Sequence, residues 1–166
     1  MIPGDDPPWL EGAGDTVKAV YRFWQEKCRD GRLPRRADID PVELPTALLP
    51  LISLVEPVDD ERRYVYRLVG TREVDMRGRD PTGKSVIENY FGLSVESSVV
   101  NYDKVMATGQ PQYDDSHFTS PDGRYIDEAD LYLPLSDDGI QINRILVLAV
   151  YGPGPKHPSR LLPAKE

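Results

Sequence analysis

The sequence predicts an α+β protein in which a five-stranded antiparallel sheet carries short helices on one face and an N-terminal helix on the other. Two short apolar stretches precede a region with helical spacing, and three more follow it before position 152. The last of these contains residues 145–150, which are apolar without interruption. Because a strand with one face in water alternates, this run indicates that both faces of the sheet are covered.

Size and composition are typical of one globular domain, which we predict to span residues 15–152, with a tail over 153–166. The chain has 166 residues, 39% of them hydrophobic and 29% charged. A net charge of −8 without a basic stripe predicts no nucleic-acid partner. Cys28 is the only cysteine, and neither a signal pattern nor a membrane-spanning run is present in the sequence. We therefore expect a cytoplasmic protein without membrane contact.

The N-terminal region is predicted to contain a flexible arm and then an amphipathic helix. Residues 1–14 are rich in proline, glycine and acidic residues, which favours the arm. Asp15 is a candidate N-cap, and Gly31 is placed to end a helix over residues 15–31. The apolar face of this helix consists of Val17, Val20, Tyr21, Trp24 and Cys28. It could pack on its own domain or on a second copy in a homodimer, and both remain open.

A short helix and a strand hairpin are predicted next. Residues 40–43, Asp-Pro-Val-Glu, place an N-cap, a proline and a carboxylate as in a helix start of one or two turns. Residues 51–55 and 63–69 have strand patterns and are separated by an acidic turn, which predicts a hairpin. Gly70 ends the second strand, and a short polar helical segment follows.

The second half of the chain is predicted to contain one longer helix and three strands. Residues 86–91 should dock through their apolar side chains. The helix begins at Ser94, and Gly109 lies just past its end. The three strands cover residues 111–119, 125–135 and 142–151, with tight turns between them.

One stretch matches the phosphate-binding pattern G-x-x-x-x-G-K-[ST]. The matching positions are Gly78, Gly83, Lys84 and Ser85. A true phosphate loop follows a buried strand, whereas residues 71–77 carry four charges in seven positions. Pro81 also removes one of the N–H donors that would bind the anion. We therefore interpret the stretch as a structural loop and keep a small nucleotide-binding enzyme as an alternative function.

Three ordered motifs resemble those of PAS sensory domains, within a branch of compact bacterial proteins. They are LPRRADIDP at residues 33–41, YRLVGT at residues 66–71 and GRDPTGK at residues 78–84. The resemblance spans residues 24–152. It implies the strand order 2-1-5-4-3, and it implies that residues 78–84 form a connecting loop without nucleotide hydrolysis.

The resemblance also implies a ligand pocket between the helices and the inner face of the sheet. Its expected lining is Tyr64, Tyr66, Leu68, Val99, Tyr102 and Met106, which could hold a small organic ligand or simply fill the core. Flavin-binding members of the family carry a reactive cysteine near the first short helices, but Cys28 lies in the N-terminal helix. Haem-binding members commonly use a histidine on the long helix, and residues 94–108 contain none. We therefore predict neither haem nor flavin photochemistry.

The acidic residues of the third and fourth strands offer a conceivable divalent-cation site. They are Asp114, Asp115, Asp127, Glu128 and Asp130. Alternation divides each strand's acids between two faces, so we favour a solvated or edge-protecting cluster and predict no metal site. His117, one of two histidines, is interpreted as a surface residue of a strand, and we find no catalytic set.

Together these observations predict a non-catalytic sensory or signalling module. It would bind a small ligand or a protein partner, pass its state on through contacts with a signalling protein, and form a homodimer. A ligand-free dimerising scaffold is the remaining alternative, and the sequence does not separate it from a sensor.

Overall fold

A computed structural model describes residues 5–120 and 122–152, in which helices pack on both faces of a five-stranded antiparallel sheet. The helices are α1 (Asp15–Lys27), α2 (Thr71–Arg77) and α3 (Val95–Thr108). The strands are β1 (Ile52–Pro57), β2 (Tyr64–Leu68), β3 (Gln112–Thr119), β4 (Tyr125–Leu135) and β5 (Arg144–Tyr151). Single 3-10 turns occupy Pro8–Leu10, Arg36–Asp38 and Pro41–Glu43, and a longer one occupies Thr46–Leu51.

The strand order is β2-β1-β5-β4-β3, with every neighbouring pair antiparallel. Leu131 of β4 pairs with Leu148 of β5, and Asp130 pairs with Asp114 of β3. The apolar strand β5 lies at the centre of the sheet, as its composition predicts. The predicted fold class and strand order are confirmed.

Helix α1 covers one face of the sheet, which we call the outer face. Val17, Val20, Tyr21 and Trp24 are at most 2% exposed, and they pack with leucines of β4 and β5 in the same chain. The indole Nε1 of Trp24 donates to the carbonyl oxygen of Pro134 over 2.9 Å. The apolar face of α1 is therefore used within its own subunit, which decides between the two packings that the sequence left open.

The predicted flexible arm is wrong for residues 5–14. Trp9 stacks on Tyr113 with ring centroids 5.1 Å apart, and Leu10 is buried in the outer core. Asp6 accepts two hydrogen bonds from Arg22 of α1. Trp9 also meets the ring of Tyr21 of α1 edge to face at 5.3 Å, so apolar contacts hold this segment against the domain. The predicted arm's first four residues and the predicted tail over 153–166 lie outside the described residues.

The ends of the helices follow local chemistry. Helix α1 ends at Lys27, before the predicted residue 31, because the backbone becomes extended at Cys28. Gly31, with φ of 71°, belongs to a tight turn beyond the helix. Ser94 caps α3 by accepting from the N–H of Ser97, and Gly109 closes it in the left-handed conformation. No helix among the described residues is long and apolar enough to cross a membrane.

Candidate ligand cavity

A cavity of about 270 Å³ lies between the inner face of the sheet and the helices α2 and α3. All five strands contribute side chains to its wall, as do both helices and the segment that joins them. Leu93, Val100 and His117 line it and are themselves exposed, so the cavity opens to the surface beside α3.

The six predicted pocket residues fall into three groups: two line the cavity, two support its wall, and two are exposed to solvent. Tyr66 and Tyr102 line the cavity. Tyr64 and Val99 are buried in the adjoining core, where the ring of Tyr64 stacks on that of Tyr102 with centroids 5.0 Å apart. These two residues support the wall without reaching the cavity.

The pocket interpretation is wrong for Leu68 and Met106, which are 45% and 39% exposed. Leu68 ends the edge strand β2, beyond an irregularity in its pairing with β1, and the strand no longer faces the core there. On α3 the buried face runs through Val99, Tyr102 and Val105, which turns Met106 toward solvent. Helical spacing alone permitted either residue, Val105 or Met106, to face the core.

Helix α2 supplies a buried ion pair at one side of the cavity. Arg77 and Glu73 lie one helical turn apart, their side chains are 7% and 9% exposed, and they bond over 2.7 Å. Arg77 also donates to the backbone oxygen of Asn89 and to the hydroxyl of Tyr66. The hydroxyl of Tyr151 donates to the second oxygen of Glu73. Each charge in this pair is therefore neutralised by the other.

The tyrosines around this pair keep their protons. Burial raises the pKa of Tyr151 far above its usual range, and the nearby charge of Glu73 raises it further. Burial alone would lower the pKa of Arg77, but Tyr66 and Glu73 outweigh it and hold the guanidinium charged. Sequence reasoning missed this network, although an acid and a base four positions apart beside an aromatic strand were visible.

Strand β4 contributes two carboxyl groups to the opposite wall, and the solvated interpretation is wrong for both. Glu128 is 8% exposed, and its Oε2 has no hydrogen-bond partner. Asp130 has an unpartnered Oδ1, while its Oδ2 accepts from the hydroxyl of Tyr132 over 3.3 Å. Alternation places positions 128, 130 and 132 on the inner face, where the register brings Asp114 beside Asp130.

The other acidic residues behave differently. Asp114 lines the cavity, and its Oδ2 accepts from the amide of Asn101 over 2.8 Å. Asp115 is exposed, as predicted for an edge strand, and Asp127 bonds the Nδ1 of His117 over 3.1 Å. Among residues 5–120 and 122–152, no group of three or more histidine, cysteine or acidic side chains has a geometry that could hold a metal ion.

The two inner carboxyl groups of β4 titrate unusually. Burial raises the pKa of Glu128 well above its ordinary value, and the neighbouring charge of Asp130 raises it further. Burial raises the pKa of Asp130 to about 7, although hydrogen bonds from Glu128 and Tyr132 oppose the increase. Two adjacent buried carboxyl groups of this kind titrate as a coupled pair.

The stretch that resembles a phosphate loop pairs with the free edge of β2. It follows helix α2 instead of a buried strand. The N–H of Gly83 donates to the oxygen of Tyr66 over 2.7 Å, and the oxygen of Lys84 accepts from the N–H of Tyr66. Ser85 is buried and uses its Oγ to cap the N–H of Glu88. These backbone donors are used within the chain, and Gly78 serves to end α2 with φ of 73°.

Cys28 lies at the end of α1, on the face of the sheet opposite the cavity. It packs against the outer core, its Sγ contacts the backbone oxygen of Trp24, and burial raises the pKa of its thiol to about 12. A thiol in this place is inert and cannot reach a molecule in the cavity.

Comparison with known proteins agrees with this architecture. A family profile described as a PAS domain matches residues 14–149. A fungal LOV domain photoreceptor shares 12% identity over 82% of this chain and 91% of that chain, with a TM-score of 0.50. A Rhodobacter sphaeroides LOV protein shares 11% identity over 86% and 71%, with a TM-score of 0.47. The PAS-B domain of Drosophila melanogaster Cycle with bound glycerol shares 14% over 61% and 98%, with a TM-score of 0.46.

At these identities the likeness to solved structures concerns the fold alone. A comparison with curated proteins found no match.

Proposed function

The chain belongs to the PAS domain family, and we propose that it is a non-catalytic sensory module that binds a small organic ligand in the cavity beside β4. It would pass the bound state on through protein-protein contacts. The match to PAS sensory domains supports a signalling role, and the cavity supports a ligand as the signal.

The unpartnered Oε2 of Glu128 is the observation that carries the ligand proposal. Leaving a buried acceptor without a partner costs about 1–3 kcal/mol, so a wall selected for stability alone would be apolar. The cavity is also larger than the engineered cavity of about 150 Å³ that holds a benzene molecule. A compact ligand with at least one hydrogen-bond donor fits both observations.

We infer that haem and flavin photochemistry are not part of this function. A cysteine adduct needs a thiol beside the ligand, whereas Cys28 lies across the sheet from the cavity. Helix α3 carries no histidine that could ligate haem iron. A volume of about 270 Å³ also falls below the usual range of about 300–1,000 Å³ for drug-sized ligands.

Transmission through a homodimer is part of the proposal. Because the apolar face of α1 covers its own sheet, the dimer would have to use another surface, and α1 would act as a cap. Sedimentation velocity across a concentration series measures the mass, and a monomer at all concentrations would remove the dimer from the proposal. A cytoplasmic location and the lack of a nucleic-acid partner stay predictions from the sequence, and a signalling partner stays an expectation from the family resemblance.

Native mass spectrometry of protein purified from its source tests the ligand. We expect a bound small molecule in the parent and its loss in Ala149→Leu, because Ala149 lines the cavity and the larger side chain fills it. Ala107→Leu, on the exposed side of α3, is the matched control and should keep the ligand. A parent chain without any bound molecule would favour the ligand-free scaffold.

A further inference from the structure

The charges around the cavity do not balance. Among the described residues of its lining, the basic side chains are Arg77 and His117. Arg77 is paired with Glu73, and His117 faces Asp127 at the exposed rim. Three further carboxyl groups line the same cavity without a cationic partner. They are Asp114, Glu128 and Asp130.

The hydrogen bonds are incomplete in the same place. The Oε2 of Glu128 and the Oδ1 of Asp130 are buried without partners, and Glu128 is more than nine-tenths buried. Two neighbouring donors are already used: the hydroxyl of Tyr132 donates to the other oxygen of Asp130, and the amide of Asn101 donates to Asp114. While it keeps its proton, Glu128 can donate one hydrogen bond to Asp130, but Asp130 ionises near pH 7. Because an ionised carboxylate only accepts hydrogen bonds, the group that completes this pair must be a donor.

The rest of the wall suits the body of an organic cation. The rings of Tyr102 and Tyr132 meet edge to face with centroids 5.0 Å apart, and Phe91 and Phe118 meet similarly at 5.8 Å. All four of these side chains line the cavity. Aromatic faces attract ammonium groups, and this attraction increases when water is excluded.

We propose that the cavity binds a small organic cation whose primary ammonium group donates to Glu128 Oε2 and Asp130 Oδ1. This inference rests on the proposed function, because it names the class of ligand for the same cavity. An ammonium group has three N–H donors and one positive charge, so it can satisfy both unpartnered oxygens and offset one negative charge of the Glu128–Asp130 pair. A bare metal ion would need a ligand geometry that the described side chains do not provide.

Isothermal titration calorimetry with three probes of similar shape tests the proposal. Benzylamine, benzyl alcohol and benzoate share one ring, which the volume of about 270 Å³ accommodates, and differ in charge. At pH 8 we expect benzylamine to bind at least about ten times more tightly than benzyl alcohol, with benzoate weakest, because hydrogen bonds between oppositely charged groups are stronger than neutral ones. In Glu128→Gln/Asp130→Asn the difference between benzylamine and benzyl alcohol should fall below about threefold.

Asp115→Asn is the control variant, because Asp115 is an exposed carboxylate on the neighbouring strand and lies outside the cavity. It should retain the full preference for benzylamine. Circular dichroism and melting curves check that the double variant is folded, which we expect because glutamine and asparagine keep the shapes of the acids they replace.

Different failures separate this inference from the proposed function. Equal binding of benzylamine and benzyl alcohol, or tighter binding of benzoate, would overturn the cation site while leaving a ligand cavity. A preference for benzylamine that survives in the double variant would place the cation elsewhere and also overturn it. Binding of none of the three probes overturns the inference, and the proposed function fails with it only if native mass spectrometry also finds no bound molecule.

Discussion

The two faces of strand β4 differ in what they contact and in what they contain. Leu131, Leu133 and Leu135 point to the outer face, where they are fully buried against the core that α1 completes. Glu128 and Asp130 point to the inner face, where they border a cavity. One strand with strict alternation thus serves a packed apolar layer on one side and a polar wall on the other.

The two faces of β4 should therefore contribute differently to stability and to ligand binding. Burial of apolar surface contributes about 25 cal/mol per Å², so the outer face is a major source of stability. Buried carboxyl groups without partners oppose folding, so the inner face lowers stability, and we propose that it serves ligand binding instead. Substitutions on the outer face should therefore affect folding, whereas those on the inner face should alter binding and pH dependence in a folded protein.

The largest effect is expected from Trp24→Ala on the outer face. Trp24 is fully buried, and its removal leaves a large cavity and an unbonded carbonyl oxygen at Pro134. Substitutions of this kind cost about 3–5 kcal/mol. Urea unfolding followed by circular dichroism measures the change.

Tyr21→Phe is the control for Trp24→Ala on the same face of α1. Its buried hydroxyl has no hydrogen-bond partner, so removing it should leave stability within about 0.5 kcal/mol of the parent or increase it. If Trp24→Ala were as stable as Tyr21→Phe, α1 would be a dispensable cover and the contrast between the two faces would fail.

Gly70→Val should have the next largest effect. Gly70 joins β2 to α2 with an ordinary φ of −60°, so the constraint is close packing and not an unusual backbone conformation. A Cβ there would lie 2.3 Å from the oxygen of Pro50 and 2.8 Å from that of Ile52. Backbone atoms cannot move aside as a side chain can, so we expect a loss of about 1–3 kcal/mol.

Gly12→Val is the matched control, because a Cβ at Gly12 has its nearest neighbour 4.0 Å away. Differential scanning calorimetry compares the two variants. Equal melting temperatures would show that the junction can relax, and that α2 is not held in place by this contact.

The two inner carboxyl groups of β4 should make the protein less stable as pH rises, which is the opposite of the effect of carboxylates that form ion pairs. Burial raises the pKa of both Glu128 and Asp130 in the folded protein, and the charge of Glu73 on α2 raises both further. The charge of Asp114 on β3 also raises the pKa of Asp130. Arg77 lowers the pKa of Glu128 in part. Between the unfolded pKa of about 4 and the folded pKa, the native state binds more protons than the unfolded state. These two groups therefore make the free energy of unfolding fall as pH rises from about 4 to 7.

Urea unfolding at several pH values tests this expectation. Glu128→Gln/Asp130→Asn should be more stable than the parent by at least about 1 kcal/mol at pH 7.5, and the difference should shrink toward pH 4. Asp115→Asn should leave the pH dependence unchanged because its carboxyl group is exposed. A double variant that is less stable than the parent at pH 7.5 would mean that the pair is compensated in the folded protein.

The sequence predicted the outer face better than the inner one, for a physical reason. Amphipathic spacing in α1 and the uninterrupted apolar run of β5 each require a partner surface, so the sheet and its cover follow from hydrophobicity. The pattern did not specify whether the cover came from the same chain. The packing of Trp9 and Leu10 was not predicted, because the proline and glycine residues around them indicated a flexible arm.

The polar wall could not be predicted because acidic residues are usually exposed. Alternation correctly placed Glu128 and Asp130 on one face of β4, but composition suggested that this face met water. Glu128 and Asp130 are enclosed only because β3 pairs beside them and α2 packs over the same face of the sheet. The same tertiary information was needed to choose Val105 over Met106 as part of the inner side of α3.

The smallest effect is expected from Lys84→Ala, in the loop that resembles a phosphate-binding motif. Lys84 is exposed, and its contribution to the edge of β2 comes from its backbone oxygen, which alanine retains. Stability should stay within about 0.5 kcal/mol of the parent. Ser85→Ala is the neighbouring comparison and should cost more, because its buried Oγ accepts the N–H of Glu88 over 3.1 Å. Titration with ATP and magnesium completes the test: micromolar binding that disappears in Lys84→Ala would show that this loop, and not the polar wall beside β4, is where the protein recognises its ligand.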